Sequence, residues 1–197
     1  MEYKTFVISL KRRQDRRDKI LELFKKNNLR FSFYDAIDGR ELIITKEIEE
    51  LFSNNEFDDW GIIKECIYGA NLTHLKILKE CSEQELPFFI FEDDIQIIKP
   101  LDFSFEDISK KNLDAFWLTR KEPSILAYVV WPIGAKKMYD WVMNVSKLDK
   151  GLDWKFLELR RSKIFNIEEI WDDYFYQVFG KDSDIAPNGY KFNRNKI

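Results

Sequence analysis

Only two cysteines, Cys66 and Cys81, and a single histidine, His74, occur in the 197 residues. No CxxC spacing is present, which argues against a structural zinc site and a disulfide framework, so reduced, cytoplasmic conditions are expected. No run approaches the ~18 consecutive apolar residues that a membrane helix needs. The apolar stretch within MEYKTFVISLKRR is too short for the h-region of a signal peptide. Neither sign of charge dominates. With a net charge of −3, nucleic acid is not an expected partner, although peripheral membrane contact stays open. Repeats and low-complexity tracts are absent, and the five prolines and seven glycines are scattered. A single α/β domain over residues 1–180 with a loosely ordered tail at 181–197 is therefore expected.

What the chain has in excess is aromatic: 17 Phe and 6 Trp within a 16% aromatic fraction, enough for a ring-rich core, a ring-lined cleft, or both. Tyr3 to Leu10 reads as a buried strand. A helix follows to about Asn27, with Ile20, Leu23 and Phe24 as its apolar stripe. Phe31 to Tyr34 reads as a short strand running into the Asp38-Gly39 turn signal. A short helix is expected over Lys46 to Phe52, a polar loop over Asn54 to Asp59, and a helix from about Ala70 to Cys81. Asp114 to Thr119 and Ile125 to Trp131 read as two strands joined by a turn at Lys121 to Ser124. The clearest helix begins near Gly134, where Met138, Trp141, Val142 and Val145 share one face. Asp153 to Leu159 and Ile170 to Phe179 are further helix candidates. Alternating strands and helices predict an α/β sandwich with a mostly parallel sheet, the two adjacent late strands suggesting an antiparallel edge.

The stretch PFFIFEDD, Pro87 to Asp94, is the most informative. An apolar run of this length fits a strand buried on both faces, and the acids then stand at its carboxyl end, where open α/β sheets bind ligands. If the backbone stays extended, Glu92 and Asp94 point to one side and Asp93 to the other. Two carboxylates on one side suit Mg²⁺ or Mn²⁺, which takes one or two protein oxygens and completes its shell with phosphate and water. An ordinary solvated turn is the competing reading. Against it, Ile95 to Ile98 resume an apolar pattern, and like charges held between buried segments repel unless a cation joins them.

A second cluster, VISLKRRQDRR, places Arg13 and Arg16 just after the first strand, on the rim of the same strand ends. Guanidinium groups there can grip a diphosphate, or simply form a solvated helix face.

Taken in order, VISLKRRQDRR, YDAIDG (34–39), YGANLTHLKIL (68–78), IFEDDI (90–95) and AYVVWPIGAKKM (127–138) resemble glycosyltransferase family 25, the enzymes of lipooligosaccharide sugar transfer and collagen galactosylation. The resemblance covers about residues 5–140 and implies a GT-A fold, a Rossmann-like sandwich. It also implies inverting transfer of a hexose from a UDP-sugar, UDP-galactose or UDP-glucose, to a glycan or other hydroxyl acceptor, with Mn²⁺ or Mg²⁺ as cofactor. The acidic triplet then stands for the DxD-type motif, with Asp94 as the first metal ligand, Glu92 as the second, and Glu92 and Asp93 on the donor. Ser9, Leu10, Arg13, Arg16, Asp38, Gly39 and His74 fall in the blocks that line the nucleotide sugar. His74 follows Thr73 where the family carries Ser-His.

An inverting transfer needs a carboxylate base. Asp153 in GLDWKFL and Asp172 and Asp173 in IWDDYF are the candidates, each also a candidate helix cap. The chain is shorter than many relatives and lacks a clear final family block. A Mg²⁺-dependent nucleotidyltransferase or phosphohydrolase, a non-catalytic nucleotide-sugar-binding module, and a transferase acting on modified DNA bases are the competing functions.

Overall fold

The fold is that of a computed structural model, which describes residues 2–52, 63–119, 125–145, 148, 151–170, 174–178 and 183–185. The expected loop at 54–59 and turn at 121–124 lie outside them.

Strand β1 (Lys4–Ser9) leads to helix α1 (Gln14–Lys26) and strand β2 (Ser32–Asp35). A 3₁₀ turn at Gly39–Glu41, helix α2 (Lys46–Leu51) and helix α3 (Lys64–Ser82) precede strand β3 (Phe88–Glu92). Then come β4 (Ile95–Ile97), α4 (Phe105–Ser109), β5 (Ala115–Trp117), β6 (Ala127–Val130), α5 (Pro132–Val145), α6 (Leu152–Ser162), β7 (Ile167–Glu169) and β8 (Phe175–Gln177). Six strands form one sheet in the order β2-β1-β3-β6-β5-β7. The pairs β1·β2, β1·β3 and β5·β7 are parallel, while β6 runs antiparallel to both β3 and β5.

The reversed strand is therefore internal and not at the edge, as the sequence suggests. Antiparallel neighbours need only a short connection, so β5 can return directly as β6 and seat itself between β5 and β3. Both faces are covered, which is why β3 reads as an unbroken apolar run. Phe89 and Phe91 pack with Val7, Ile20 and Phe24 on one face. Phe88 and Ile90 pack with Leu75, Leu78, Met138 and Phe156 on the other.

Two expected helices differ. Helix α3 starts at Lys64, well before Ala70, and runs through Gly69. Glycine weakens a helix interior, yet a Cβ at Gly69 would stand 2.5 Å from the Ile37 carbonyl oxygen and 2.9 Å from the Gly39 amide. The residue is what lets α3 seat against the Asp38 loop. The helix expected over 170–179 is absent where the chain is described: Phe175–Gln177 is a strand, paired antiparallel with β4. Partners remote in sequence supply its hydrogen bonds, with Ile98 N–H donating to the Tyr174 carbonyl (3.0 Å) and Val178 N–H to that of Asp94 (2.8 Å). Such pairing overrides local propensity. Strand β7 has no counterpart in the sequence reading. No described helix is long and apolar enough to cross a membrane.

Gly134, in the first turn of α5, faces the Asp114 backbone so closely that a Cβ would overlap its carbonyl group. Because the obstacle is backbone, Gly134→Ala is expected to cost about 3 kcal/mol or more, a fall of roughly 6–12 °C in Tm for a chain of this size. A thermal melt reads it, and an unchanged Tm contradicts this packing.

Candidate functional site

The carboxyl ends of β1, β2 and β3 are aligned, with Ile8 opposite Glu92 and Ser9 opposite Asp35. Ser9 is buried, and its carbonyl accepts from Arg17 Nη2 (2.9 Å) and the Ala36 amide (3.0 Å). The Leu10 carbonyl accepts from the Arg13 amide at 3.0 Å, turning the chain into α1.

The rim arginines are all engaged with carboxylates. Arg13 binds Asp15 at 2.7 Å and Asp184 at 2.6 Å, while Arg12 binds Asp38 and, at 2.7 Å, Asp184. Burial pushes Asp38 and Asp184 upward, but the hydrogen bonds from Arg12, and for Asp184 from Arg13 as well, hold both below the usual carboxylate range. Asp184 belongs to the stretch expected as a tail, and Ile63 N–H donates to the neighbouring Ile185 carbonyl at 2.9 Å. Arg16 reaches Asp93 at 2.8 Å.

Asp38 accepts from the Arg40 amide (3.1 Å) and caps the turn that begins at Gly39. Thr73 holds this loop to α3: its hydroxyl accepts from the Ile37 amide at 2.9 Å and donates to the Gly69 carbonyl at 2.6 Å. The next residue, His74, turns to the acids.

Extended backbone ends at Glu92, and Asp93-Asp94 form a turn before β4, so strict alternation does not carry through the triplet. The three acids separate instead. Glu92 Oε1 lies 3.3 Å from His74 Nε2 on the α3 side, Asp93 meets Arg16 of α1, and Asp94 Oδ2 accepts from Gln177 Nε2 of β8 at 2.9 Å. Asp94 Oδ1 is buried with no hydrogen-bond partner. Burial, then the charge of Glu92, pushes the Asp94 carboxyl up to about 7. A cavity of about 470 Å³ opens beside this turn, lined by Arg16, Lys19, Leu23, Asp93, Asp94 and Val178.

Among the described residues no three His, Cys, Asp or Glu side chains gather as a ready-made metal nest. A hard cation that shares its shell with phosphates needs only one or two carboxylates. The orphaned oxygen of Asp94, with Glu92 as its charged neighbour, meets that requirement.

Asp153 stands in the first turn of α6. Gly151, at φ 79°, occupies the cap position, so Asp153 is not the cap; its carboxylate accepts from the Trp154 amide at 2.9 Å. The helix start is fastened to α3 where the Leu152 amide donates to Asn71 Oδ1 at 2.9 Å. Burial pushes Asp153 up to about 6, and Glu92 adds to the rise while His74 opposes it. Asp172 and Asp173 lie outside the described residues.

Three contributors escape the sequence reading. Gln177 sits in a stretch whose apolar spacing suggests a helix, Asp184 in the presumed tail, and neither carries a local signal. Tyr128 lies in the strand expected over Ile125 to Trp131, and a tyrosine inside a fully buried strand needs a hydroxyl partner; His74 Nδ1 is that partner at 3.0 Å.

The sequence profile of glycosyltransferase family 25 (LPS biosynthesis protein) matches residues 2–123. The chain belongs to glycosyltransferase family 25. Procollagen galactosyltransferase 2 of Mus musculus is 30% identical over 118 residues, covering 55% of this chain and 19% of the mouse protein. A Haemophilus influenzae protein provisionally named a glycosyltransferase is 27% identical over 173 residues, or 75% of this chain and 60% of that protein. The chain thus spans about a fifth and three fifths of these relatives.

Two crystal structures share its shape. A glycosyltransferase involved in glycosylation of the major capsid of PBCV-1 aligns at TM-score 0.50 and 12% identity, over 91% of this chain and 96% of that one. A variant of Drosophila beta-1,4-galactosyltransferase 7, solved with manganese, UDP-Gal and xylobiose, aligns at TM-score 0.52 and 9% identity, over 99% and 78%. At such identities the likeness shows the fold, which is GT-A.

Proposed function

We propose that this family 25 chain is a metal-dependent inverting hexosyltransferase, moving galactose or glucose from a UDP-sugar to a hydroxyl of a glycan acceptor in the cytoplasm. Its acceptor class is lipooligosaccharide, in keeping with the family's description. The observation that carries the reading is the acidic turn at the carboxyl end of β3, where Asp94 Oδ1 is buried without a partner and the charge of Glu92 raises both Asp94 and Asp153. The manganese and UDP-Gal bound by the Drosophila neighbour, and the galactosyl transfer in the mouse relative's name, support the donor and the ion.

Asp94, with Glu92 as second ligand, would hold Mn²⁺ or Mg²⁺. When bound, the ion stabilises the negative charge that develops on the departing nucleoside diphosphate. Arg16 fixes Asp93 beside this point and adds positive charge at the rim. Asp153 takes the proton from the acceptor hydroxyl. The acceptor oxygen then bonds to the anomeric carbon from the face opposite the donor phosphate, the bond from that carbon to the phosphate oxygen breaks, and the configuration inverts. Trp154, half-exposed beside Asp153, offers a ring face to the acceptor sugar.

Isothermal titration with UDP, with and without Mn²⁺, tests the reading. Binding should tighten by at least tenfold with the ion, and a screen of UDP-hexoses should release UDP with one of them. Equal UDP affinity in both titrations would count decisively against it.

A further inference from the structure

Two buried side chains stand behind Glu92 in a line that packing alone does not require. Tyr128, on the reversed strand β6, is 0% exposed, and His74, in the middle of α3, is 1% exposed. The tyrosine oxygen lies 3.0 Å from His74 Nδ1, and His74 Nε2 lies 3.3 Å from Glu92 Oε1. Burial, with the charge of Glu92 adding to it, holds the Tyr128 phenol well above its ordinary range, so its O–H is retained as a donor. A carboxylate only accepts, so the ring must present Nε2–H to Glu92. Nδ1 is then the bare nitrogen, and it accepts from the Tyr128 O–H. The phenol hydroxyl can donate or accept, so the carboxylate is what selects this form of the neutral ring, and Tyr128 completes it by donating to Nδ1.

We propose that Tyr128 and His74 are positioning residues: the Tyr128 hydroxyl anchors the His74 ring by donating to its bare Nδ1, and the Nε2–H of that anchored ring orients the Glu92 carboxylate at the end of β3 for cation and donor. The catalytic part rests on the transferase reading above, whereas the tautomer does not. Ring packing is independent of the hydroxyl. Trp117 stacks on Tyr128 at 5.6 Å and Phe156 meets it edge-on at 5.9 Å, and both contacts survive Tyr128→Phe. Without the hydroxyl, Nδ1 is left buried with no donor, and the ring that holds Glu92 loses one of its two anchors. Carboxylates that hold metals depend on such supporting hydrogen bonds, whose loss costs about 10–100-fold in metal affinity or activity.

Because His74 is the only histidine, ¹⁵N-labelled imidazole resonances belong to it alone. In the metal-free protein at pH 8, NMR should show a pyrrole-like Nε2 and a pyridine-like Nδ1. Tyr128→Phe should move the pyridine-like Nδ1 resonance further downfield, as a nitrogen relieved of its hydrogen bond does, while Nε2 stays pyrrole-like and the fold and Tm are largely kept. Calorimetric Mn²⁺ affinity should fall about tenfold in Tyr128→Phe and about 10–100-fold in His74→Leu. It should recover in His74→Gln, whose amide reaches the Nε2 position, and stay low in His74→Asn, whose amide does not. A wild-type ring protonated at Nδ1, or a Tyr128→Phe ring with unchanged nitrogens, overturns the proposal whatever the metal data show. Unchanged nitrogens together with a lowered Tm would identify Tyr128 as packing only. The NMR is read without metal or donor, so it decides the relay even if UDP and Mn²⁺ fail to bind, a result that would count against the transferase reading alone.

Discussion

Replacing Asp153 with asparagine should lower kcat/KM by about 10²–10⁴-fold, the range that a positioned general base contributes, if Asp153 is the base proposed above. The substitution is nearly isosteric, and the amide oxygen can still accept from the Trp154 N–H, so the start of α6 and the Leu152–Asn71 contact should be undisturbed. What is lost is basicity. A surface aspartate would be a poor base at neutral pH, but burial, reinforced by Glu92, lifts Asp153 to about 6. Its basic form therefore becomes dominant above that value, and kcat/KM, which reports groups in the free enzyme, should rise through pH 6 to a plateau. Glu92→Gln removes the neighbouring charge that raises Asp153, so its residual activity should show the limb displaced to lower pH. Asp153→Asn should have no such limb, while its UDP affinity stays within about threefold of wild type. Retention of more than a tenth of wild-type activity, or an unmoved limb near pH 6, would assign the base elsewhere. Asp172 and Asp173 then become the next substitutions.

The acidic triplet and its strand are legible because local physics points one way: apolar residues on both faces of β3, acids where it ends, and a helix packed on either side. The helical stripe of α5 is legible for the same reason, as Met138 and Val142 are fully buried at their expected spacing. What escapes the sequence depends on partners remote along the chain. Gln177 reaches Asp94 only because β8 pairs with β4 across a separation of roughly eighty residues. Tyr128 reaches His74 only because β6 is inserted beside β3. Gly69 lies inside α3 because the Ile37 carbonyl comes too close for a side chain, an approach that no local signal announces. The arginine cluster is half legible. Its place on the rim follows from β1 and the Arg13–Asp15 pair is local, but its engagement by Asp38, Asp93 and Asp184 depends on tertiary placement.

Asp94→Asn should stabilise the metal-free protein at pH 8 and abolish its response to Mn²⁺ with UDP. The native Asp94 carboxyl keeps its proton up to about 7, whereas in the unfolded chain it is released near the ordinary 3.8. Between those values the folded state binds more protons than the unfolded state, so this group's contribution to stability falls as pH rises through the window. Above pH 7 the full penalty of a buried charge beside Glu92 and Asp93 is present. At ~1.4 kcal/mol per pK unit, the shift sets an upper bound of about 4 kcal/mol. Relaxation around the turn makes about 2 kcal/mol, roughly 4–8 °C in Tm, the expected gain for the asparagine variant at pH 8. Its amide oxygen can still accept from Gln177, so most of the advantage should be gone by pH 4, where the native carboxyl is neutral and the unfolded one only about half ionised. In the wild type, Mn²⁺ with UDP at about 100 times its dissociation constant should return roughly 2.7 kcal/mol by mass action, and in the variant nothing. Melts at pH 4 and pH 8, each with EDTA or with Mn²⁺ and UDP, separate the outcomes. A variant less stable than wild type at pH 8 would mean that the buried carboxylate is already compensated without an ion, and one still stabilised by Mn²⁺ with UDP would place the cation away from β3.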